Sequence, residues 1–393
     1  MPTIQAVPNA PTTPPSCAVP TTAQTTNSSP SLGRKKRTIP EELAPWPHAP
    51  VAEDLADEMA KLIKRYCILT DDEVVAIVLW IIASYSINLF RIFPKLSLIS
   101  PEKRCGKSTT MEVVTAMCRD ALLTSNVSAA VLYRLTEVCS PTILIDEADT
   151  FVKGGDPALV GIINSGHNQS SAQILRCEGD NFKPKAYSTW MPMVLAAIGD
   201  LPPTIMDRSI VINLRRKKSS EMVQLIPGDI DSSCVSIRRK ILTWCENSAP
   251  QITINQIPPP KLGNDRAEDN WLPLFTVAGQ IGGAWPQLCD SAYRANTTVT
   301  EEEIPTQLLR DIRTVFSNIQ RIPSAELLVE LCKDQAGPWN SCDNGKKLSP
   351  HQMAKLLRPY GIKPKMIRFG KETKRGYEAT QFHDSFERYL PGP

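Results

Sequence analysis

The chain has only four histidines, and its eleven cysteines include no pair at C-x-x-C spacing. Zinc sites need such clusters and a disulfide framework needs regular spacing, so reduced thiols in a cytoplasmic protein are the expectation. Met1 to Pro30 lacks an apolar core, which excludes a secretory signal. One run, Val74 to Phe90, approaches a membrane span, but its seventeen residues are short for a bilayer and Ser84, Tyr85, Ser86 and Asn88 interrupt its second half. It reads as a buried helix, with no membrane partner. Net charge is slight at +3, but it is unevenly spread: Arg358 to Arg375 holds seven basic residues against Glu372 alone. A local basic strip is what a phosphate backbone requires. At 393 residues, with 42% hydrophobic and 22% charged residues, the chain has the composition of an ordinary soluble protein and room for two folded domains.

What is present is a stretch from Leu96 to Asp149 around which the rest is organised. An apolar run, Leu96-Ser97-Leu98-Ile99, leads into Ser100-Pro101-Glu102-Lys103-Arg104-Cys105, and Gly106-Lys107-Ser108-Thr109 then opens a helical pattern reaching Cys118. A strand feeding a turn at the start of a helix binds phosphate, because unpaired N–H groups and the positive end of the helix dipole converge there. Arg104, Cys105, Gly106, Lys107, Ser108 and Thr109 are the candidate nucleotide-binding residues, with Lys107 reaching the terminal phosphates and Ser108 a magnesium ligand. A bare Gly-Lys-Ser or Gly-Lys-Thr arises by chance in roughly one chain of this length in five. Pro101 also stands where the general G-x-x-x-x-G-K-[ST] pattern has its first glycine. Specificity comes from Pro141 to Asp149, a β-branched apolar run ending in paired carboxylates. A buried strand presenting Asp then Glu at its carboxyl end offers Asp146 to magnesium and Glu147 to an attacking water. The bland alternative is a buried strand ending in a solvated acidic loop.

Taken in order, residues 1–45 are dense in Pro, Thr, Ser and Asn and include Arg34-Lys35-Lys36-Arg37. Such a segment buries too little apolar surface to order itself, so a disordered arm is expected. Residues 46–94 carry two helices, one over Pro50 to Tyr66 and an apolar one capped at Thr70-Asp71-Asp72. The core spans 95–220, with strands at Ala121 to Thr124, Met193 to Ile198 and Ser209 to Leu214, and helices at Ser128 to Cys139, capped by Ser128, and Pro157 to Asn164. Gln173 to Glu178 and Phe182 to Ser188 read as a hairpin about a Gly-Asp turn. Its cations Arg176, Lys183 and Lys185 either project toward the centre of a ring to grip nucleic acid or are ordinary solvated charges. Arg208 either donates to the γ-phosphate of an adjacent subunit or pairs with Asp207.

Residues 221–320 read as a helical lid, including Cys234 to Cys245 and Arg266 to Ile281. Arg266 either folds over the bound nucleotide or pairs with Glu268 or Asp269. The last unit, 321–393, has helices at Ser324 to Lys333 and Ser349 to Tyr360, then strands at Lys365 to Arg368 and Gly376 to Ala379 around a basic turn, Gly370 to Arg375, and a closing helix at Ser385 to Leu390. That is winged-helix order, in which Lys363, Lys365, Arg368, Lys374 and Arg375 would meet a phosphate backbone. A protein-binding use of the same fold competes with it.

Six runs are to be read together: Ser100 to Ser108, Leu144 to Phe151, Asn164-Ser165-Gly166-His167, Asp207 to Val211, Asp269-Asn270-Trp271 with Gly283-Ala284-Trp285-Pro286, and Lys374-Arg375-Gly376-Tyr377. As a set they resemble a domain-of-unknown-function family of P-loop ATPases carried by phages, plasmids and genomic islands, often joined to or encoded beside a primase. The resemblance covers roughly residues 50–392. It implies an AAA+-like or superfamily 3 helicase-like core, ATP and Mg2+, assembly into a homo-oligomeric ring, and a primase partner. It assigns Lys107 and Ser108 to nucleotide, Asp146 and Glu147 to metal and water, and Arg208 to a trans arginine. The fold expected is therefore α/β: a P-loop NTPase core with helical N-terminal and lid elements and a C-terminal winged-helix domain. The function expected is an ATP-hydrolysing, helicase-like DNA motor in replication of a mobile element. The rivals are an ATP-gated DNA-binding regulator with little turnover and a protein-remodelling ATPase.

Overall fold

The computed structural model describes residues 39–153, 156–178, 183–262, 264–298, 304–333, 337–340, 347–370 and 372–390. By its contacts the chain divides into Met1–Lys36 and Arg37–Pro393, and all described residues belong to the second unit. Of the arm expected over residues 1–45, residues 1–38 lie outside the described residues, as does the expected hairpin turn at 179–182. The end of that arm is not disordered: Glu41 Oε1 accepts from Arg238 at 2.7 Å, and Ala44 O accepts from Arg239 at 2.7 Å.

At the centre is a parallel sheet of β1 (Lys95–Ser100), β2 (Leu122–Thr124), β3 (Ile143–Ile145), β6 (Met193–Ile198) and β7 (Ser209–Asn213), in the order β2-β3-β6-β1-β7. Between β3 and β6 in sequence, β4 (Gln173–Glu178) and β5 (Lys183–Ser188) form a separate antiparallel pair. Strands of a parallel sheet are covered on both faces, which is why these segments read as continuous apolar runs. Alternate side chains enter opposite cores. Leu96, Leu98, Leu144, Val194, Ala196, Ile210 and Ile212 pack on one side, and Ile99, Ile143, Ile145, Met193, Leu195 and Ala197 on the other.

The first side is covered by α1 (Ala52–Tyr66), α2 (Asp71–Ser84) and α3 (Lys107–Met117). The second is covered by α4 (Ala129–Val138), α5 (Ala148–Lys153), α6 (Pro157–Ser165) and α7 (Pro203–Met206). Returning to the first side, α8 (Ile230–Ser233), α9 (Val235–Ile254), α10 (Asp265–Ile281) and α11 (Trp285–Thr298) complete the layer. The two N-terminal helices thus pack on the sheet, and the segment expected as a lid shares the same apolar core. Helix α2 shows why its sequence mimics a membrane span: every residue from Val74 to Ser84 is buried, enclosed by α1, α10 and α11. A capping box starts it, with Thr70 Oγ1 accepting from Glu73 N at 3.2 Å and Glu73 Oε2 accepting from Thr70 N at 2.8 Å. Among the described residues no helix is long and apolar enough to cross a membrane.

Ser128 precedes α4 as expected, but its side chain makes no capping bond; its backbone carbonyl accepts from Val131 and Leu132 N–H instead. On the first side, Arg238 of α9 is buried and donates to Ala116 O at 2.6 Å, Asp231 O at 3.0 Å and Glu41 Oε1 at 2.7 Å. Such multiple satisfaction is what makes a buried guanidinium tolerable.

A separate core is built by α12 (Ile304–Phe316), β8 (Arg321–Pro323), α13 (Ser324–Leu331), α14 (Pro350–Leu357), β10 (Glu372–Glu378) and α15 (His383–Tyr389), with β9 (Lys365–Phe369) paired to β10. Helix α12 lies N-terminal to the boundary read at 321, yet its stripe Leu308, Leu309, Ile312 and Phe316 packs with Leu327, Met353 and Phe382. The strands form an antiparallel sheet, β8-β10-β9. β9 runs on to Phe369 and β10 starts at Glu372, so Lys374 and Arg375 sit on a strand and not in the turn that their charge suggested.

Candidate functional site

β1 ends at Ser100 and β3 at Ile145, with β6 between them, so the turn 101–106 and the pair Asp146-Glu147 open on the same carboxyl edge of the sheet. Ligands of open parallel sheets occupy the crevice at that edge. Gly106 caps α3 with φ +81°, and Arg104 is also left-handed at φ 68°. A β-carbon is disfavoured at such angles, so the glycine is required by the backbone while Arg104 carries local strain. Among the described residues none of the N–H groups from Arg104 to Thr109 is hydrogen-bonded within the chain. Free N–H groups at a helix start are donors for an anion.

Ser108 Oγ lies 3.5 Å from Asp146 Oδ2, while Asp146 Oδ1 accepts from Glu147 N at 2.9 Å. Glu147 itself has φ 55°, an uncommon conformation for a non-glycine residue that concentrates at functional sites. Asp149 Oδ1 accepts from Ile198 N at 3.1 Å, which ties the start of α5 to the end of β6 and holds the acidic tip beside the turn. Together Arg104 to Thr109, Asp146 and Glu147 line a cleft of about 620 Å³. The Lys107 ammonium has no partner among the described residues. The carboxylates at 146 and 147 and the hydroxyl at 108, expected to work together, are thus side by side with the lysine. No group of three or more His, Cys, Asp or Glu among the described residues is arranged to hold a metal alone. A hydroxyl and a carboxylate instead suit a hard cation that keeps water and phosphate ligands.

Arg208 and Arg266 are elsewhere. Lys95 N donates to Arg208 O, and Lys95 pairs in register with Ser209, so both lie at the amino end of the sheet, a strand's length of roughly 17 Å from the turn. Arg208 Nη1 donates to Thr204 O at 2.7 Å and is 4.0 Å from Asp207 Oδ2. Arg266 does not fold over the turn of its own chain, nor does it pair with Glu268 or Asp269: its Nε is 3.3 Å from Asp207 Oδ2, and Asp269 takes Arg91 at 3.3 Å.

The amino end also holds a buried polar network that sequence reasoning missed. Lys95 Nζ donates to Gly166 O at 2.6 Å, His167 Nε2 is 2.7 Å from Asn270 Oδ1, and Asn270 Nδ2 donates to Asp207 O at 3.1 Å. Gly166 is required here because a β-carbon would strike Thr189 O. Burial first, then the nearby Arg208, pull the Lys95 ammonium down to about 7. For His167, burial and the cations Lys95, Arg266 and Arg208 outweigh the Asn270 bond and bring it to about 4. Three of the six runs singled out in the sequence, those holding Gly166-His167, Asp207 and Asn270, therefore meet in one place. The available signal was a lysine opening an otherwise apolar strand.

Of the hairpin cations, Arg176 stacks over Tyr133 at 5.7 Å from the ring centroid. Lys185 pairs with Glu137 at 2.8 Å and lies over Tyr187. These two are spent largely on α4, which fixes the hairpin root, while Lys183 is exposed. In the C-terminal sheet, the register pairs Arg375 with Met366 and Thr373 with Arg368, placing both arginines on one exposed face. Lys374 pairs with Glu372 at 2.7 Å, and Lys363 and Lys365 are exposed nearby.

Fold and site together define a mixed α/β protein with a parallel central sheet, of a form compatible with a nucleotide-binding core. Its residues 213–389 match the family described as "Protein of unknown function (DUF3631)", a span that begins beyond the 101–149 site. An "Uncharacterized 28.9 kDa protein in xis 5'region" of Saccharopolyspora erythraea is 31% identical over 162 residues, 40% of this chain. The chain spans 60% of that relative's length. Among solved structures it is similar to the apo structure of the NrS-1 C terminal region (305-718), with TM-score 0.41, 10% identity and coverage of 88% of this chain and 79% of that one. The A form apo structure of the same region gives TM-score 0.37, 9% identity and coverage of 87% and 78%.

Proposed function

We propose that this chain is a P-loop ATPase that acts on DNA during replication of a mobile genetic element, with Lys107, Ser108, Asp146 and Glu147 as its nucleotide site. The observation that carries this reading is the meeting of a donor-rich turn and two carboxylates in one cleft, with Ser108 Oγ 3.5 Å from Asp146 Oδ2. Gly106 and the free N–H groups through Thr109 cradle phosphate oxygens, and Lys107 neutralises their charge. Ser108 and Asp146 would hold Mg2+, which when bound would supply charge stabilisation at the phosphates. Glu147 orients and deprotonates the attacking water. Arg208, too far from its own turn, serves the nucleotide of a neighbouring copy, which requires a homo-oligomer.

The order α12-β8-α13-α14-β9-β10 supports a winged helix whose Arg368 and Arg375 face meets DNA phosphates. A primase is the partner that the sequence resemblance suggests. A second reading, an ATP-gated regulator with little turnover, draws on the bulky Glu102-Lys103-Arg104 run and its Glu102–Arg216 pairing at 3.4 Å. ATPase rate with and without single-stranded DNA, together with strand displacement on a fork, tests the proposal. DNA-stimulated hydrolysis and ATP-dependent unwinding are expected, whereas ATP binding without either supports the regulator.

A further inference from the structure

At the amino end of the sheet one carboxylate stands between two arginines. Asp207 Oδ2 is 3.3 Å from Arg266 Nε and 4.0 Å from Arg208 Nη1. The arginines reach this one oxygen from different elements, Arg208 as the chain neighbour of Asp207 just ahead of β7, and Arg266 from the first turn of α10. No other side chain pairs with the Asp207 carboxylate among the described residues.

The backbone holds Asp207 and Arg208 in place. Asp207 O accepts from Asn270 Nδ2 at 3.1 Å, Arg208 O accepts from Lys95 N at 2.9 Å, and Arg208 N donates to Ile205 O at 3.0 Å. Arg266 and Asn270 are one turn apart on α10, hence on one face of it, so a single helix face grips both the carbonyl and the carboxylate of Asp207. That face is itself fixed. Asn264 Oδ1 accepts from Ala267 N at 3.0 Å at the helix start, and Asn270 Oδ1 is 2.7 Å from His167 Nε2. Asp269, an acidic neighbour able to draw Arg266 away, is occupied by Arg91 at 3.3 Å. On Arg208, Nη1 donates to Thr204 O at 2.7 Å, while Nε and Nη2 have no partner among the described residues. A guanidinium in that state has donors left for a phosphate, and one forked onto the adjacent carboxylate would spend them.

We infer that Arg266 is a positioning residue for Arg208: by taking the Asp207 carboxylate it keeps Arg208 open to the nucleotide of the neighbouring copy. This rests on the trans role of Arg208 proposed above. It couples that role to α10, because a shift of the first turn that lifts Arg266 off Asp207 hands the carboxylate to Arg208. The side chains of Arg208, Arg266 and Asp207 are 26%, 39% and 50% exposed. The competition is therefore between screened pairs, and its effect is a few fold, against the far larger effect of a trans arginine itself.

The test is ATP hydrolysis by the full chain at saturating ATP, with ATP affinity measured by calorimetry, for the parent, Arg208→Ala, Arg266→Ala, and Arg266→Ala combined with Asp207→Asn. Arg208→Ala should lose kcat by roughly a thousandfold or more. Arg266→Ala should lower kcat about two- to fivefold with ATP affinity kept. Adding Asp207→Asn removes the competing charge and leaves the backbone carbonyl for Asn270, so kcat should return to the parental value. A merely structural role for Arg266 predicts no such rescue. With Arg208→Ala inactive, three results would each overturn the positioning role alone: parental kcat in Arg266→Ala, a loss of its ATP affinity, or a double variant no faster than Arg266→Ala. Parental hydrolysis by Arg208→Ala would overturn the trans arginine and this inference with it.

Discussion

His167 is a buried imidazole whose bond to Asn270 holds α10 against the loop following α6. Its folded pKa, brought to about 4, lies below the unfolded value of about 6.5. The unfolded chain therefore binds the proton first as pH falls. The stability contributed by neutral His167 is complete above pH 6.5 and is lost progressively toward pH 4, on the order of 3 kcal/mol in all. Urea midpoints of the parent and His167→Asn should draw together between pH 7 and pH 4.5, and parallel curves would contradict the burial argument. Lys95 acts in the same direction at higher pH: its ammonium is pulled down to about 7, so its part of the stability grows from pH 7 toward the unfolded lysine value. Neither residue could be placed from sequence. A lysine opening an apolar strand, or a histidine in a polar loop, carries no mark of the partner that satisfies it, and Gly166 O and Asn270 are 71 and 103 residues away from Lys95 and His167 respectively.

At the scale of elements, the legible parts were those whose pattern is local. β6 begins and ends where its apolar run does, Met193–Ile198, and the Thr70 cap is stated by the four letters Thr-Asp-Asp-Glu. β8 was not legible, because three residues, Arg321–Pro323, become a strand only by pairing with Gly376 to Glu378. Pairing with β9 likewise starts the second expected strand at Glu372 and not at Gly376, so most of the expected basic turn joins a sheet with a regular face. That face makes a prediction: Arg368→Ala and Arg375→Ala should each weaken DNA binding for all sequences and reduce the salt slope by about one. Binding measured from 50 to 200 mM salt checks it, and unchanged slopes for both would assign the sheet to another partner.

For the molecule as a whole, the sequence located both halves of the candidate site, because a turn at a helix start and a strand tip are written in consecutive residues. It could not locate Arg208 or Arg266 relative to them, since that depends on which end of the sheet each reaches. With Arg208 beside Lys95 at the amino end, a nucleotide role needs a second copy. Lys107→Ala and Arg208→Ala should then each be inactive alone but regain part of the ATPase rate when mixed, because some interfaces combine an intact turn with an intact arginine; additive, inactive mixtures would remove Arg208 from the site. The central claim is that the Lys107 turn and the acidic tip enclose one triphosphate. It is tested most directly by comparing ATP binding and hydrolysis in Lys107→Ala and Glu147→Gln. Lys107→Ala should lose binding, whereas Glu147→Gln should keep ATP bound and lose hydrolysis by about a hundredfold or more. Parental hydrolysis in both variants would contradict the account.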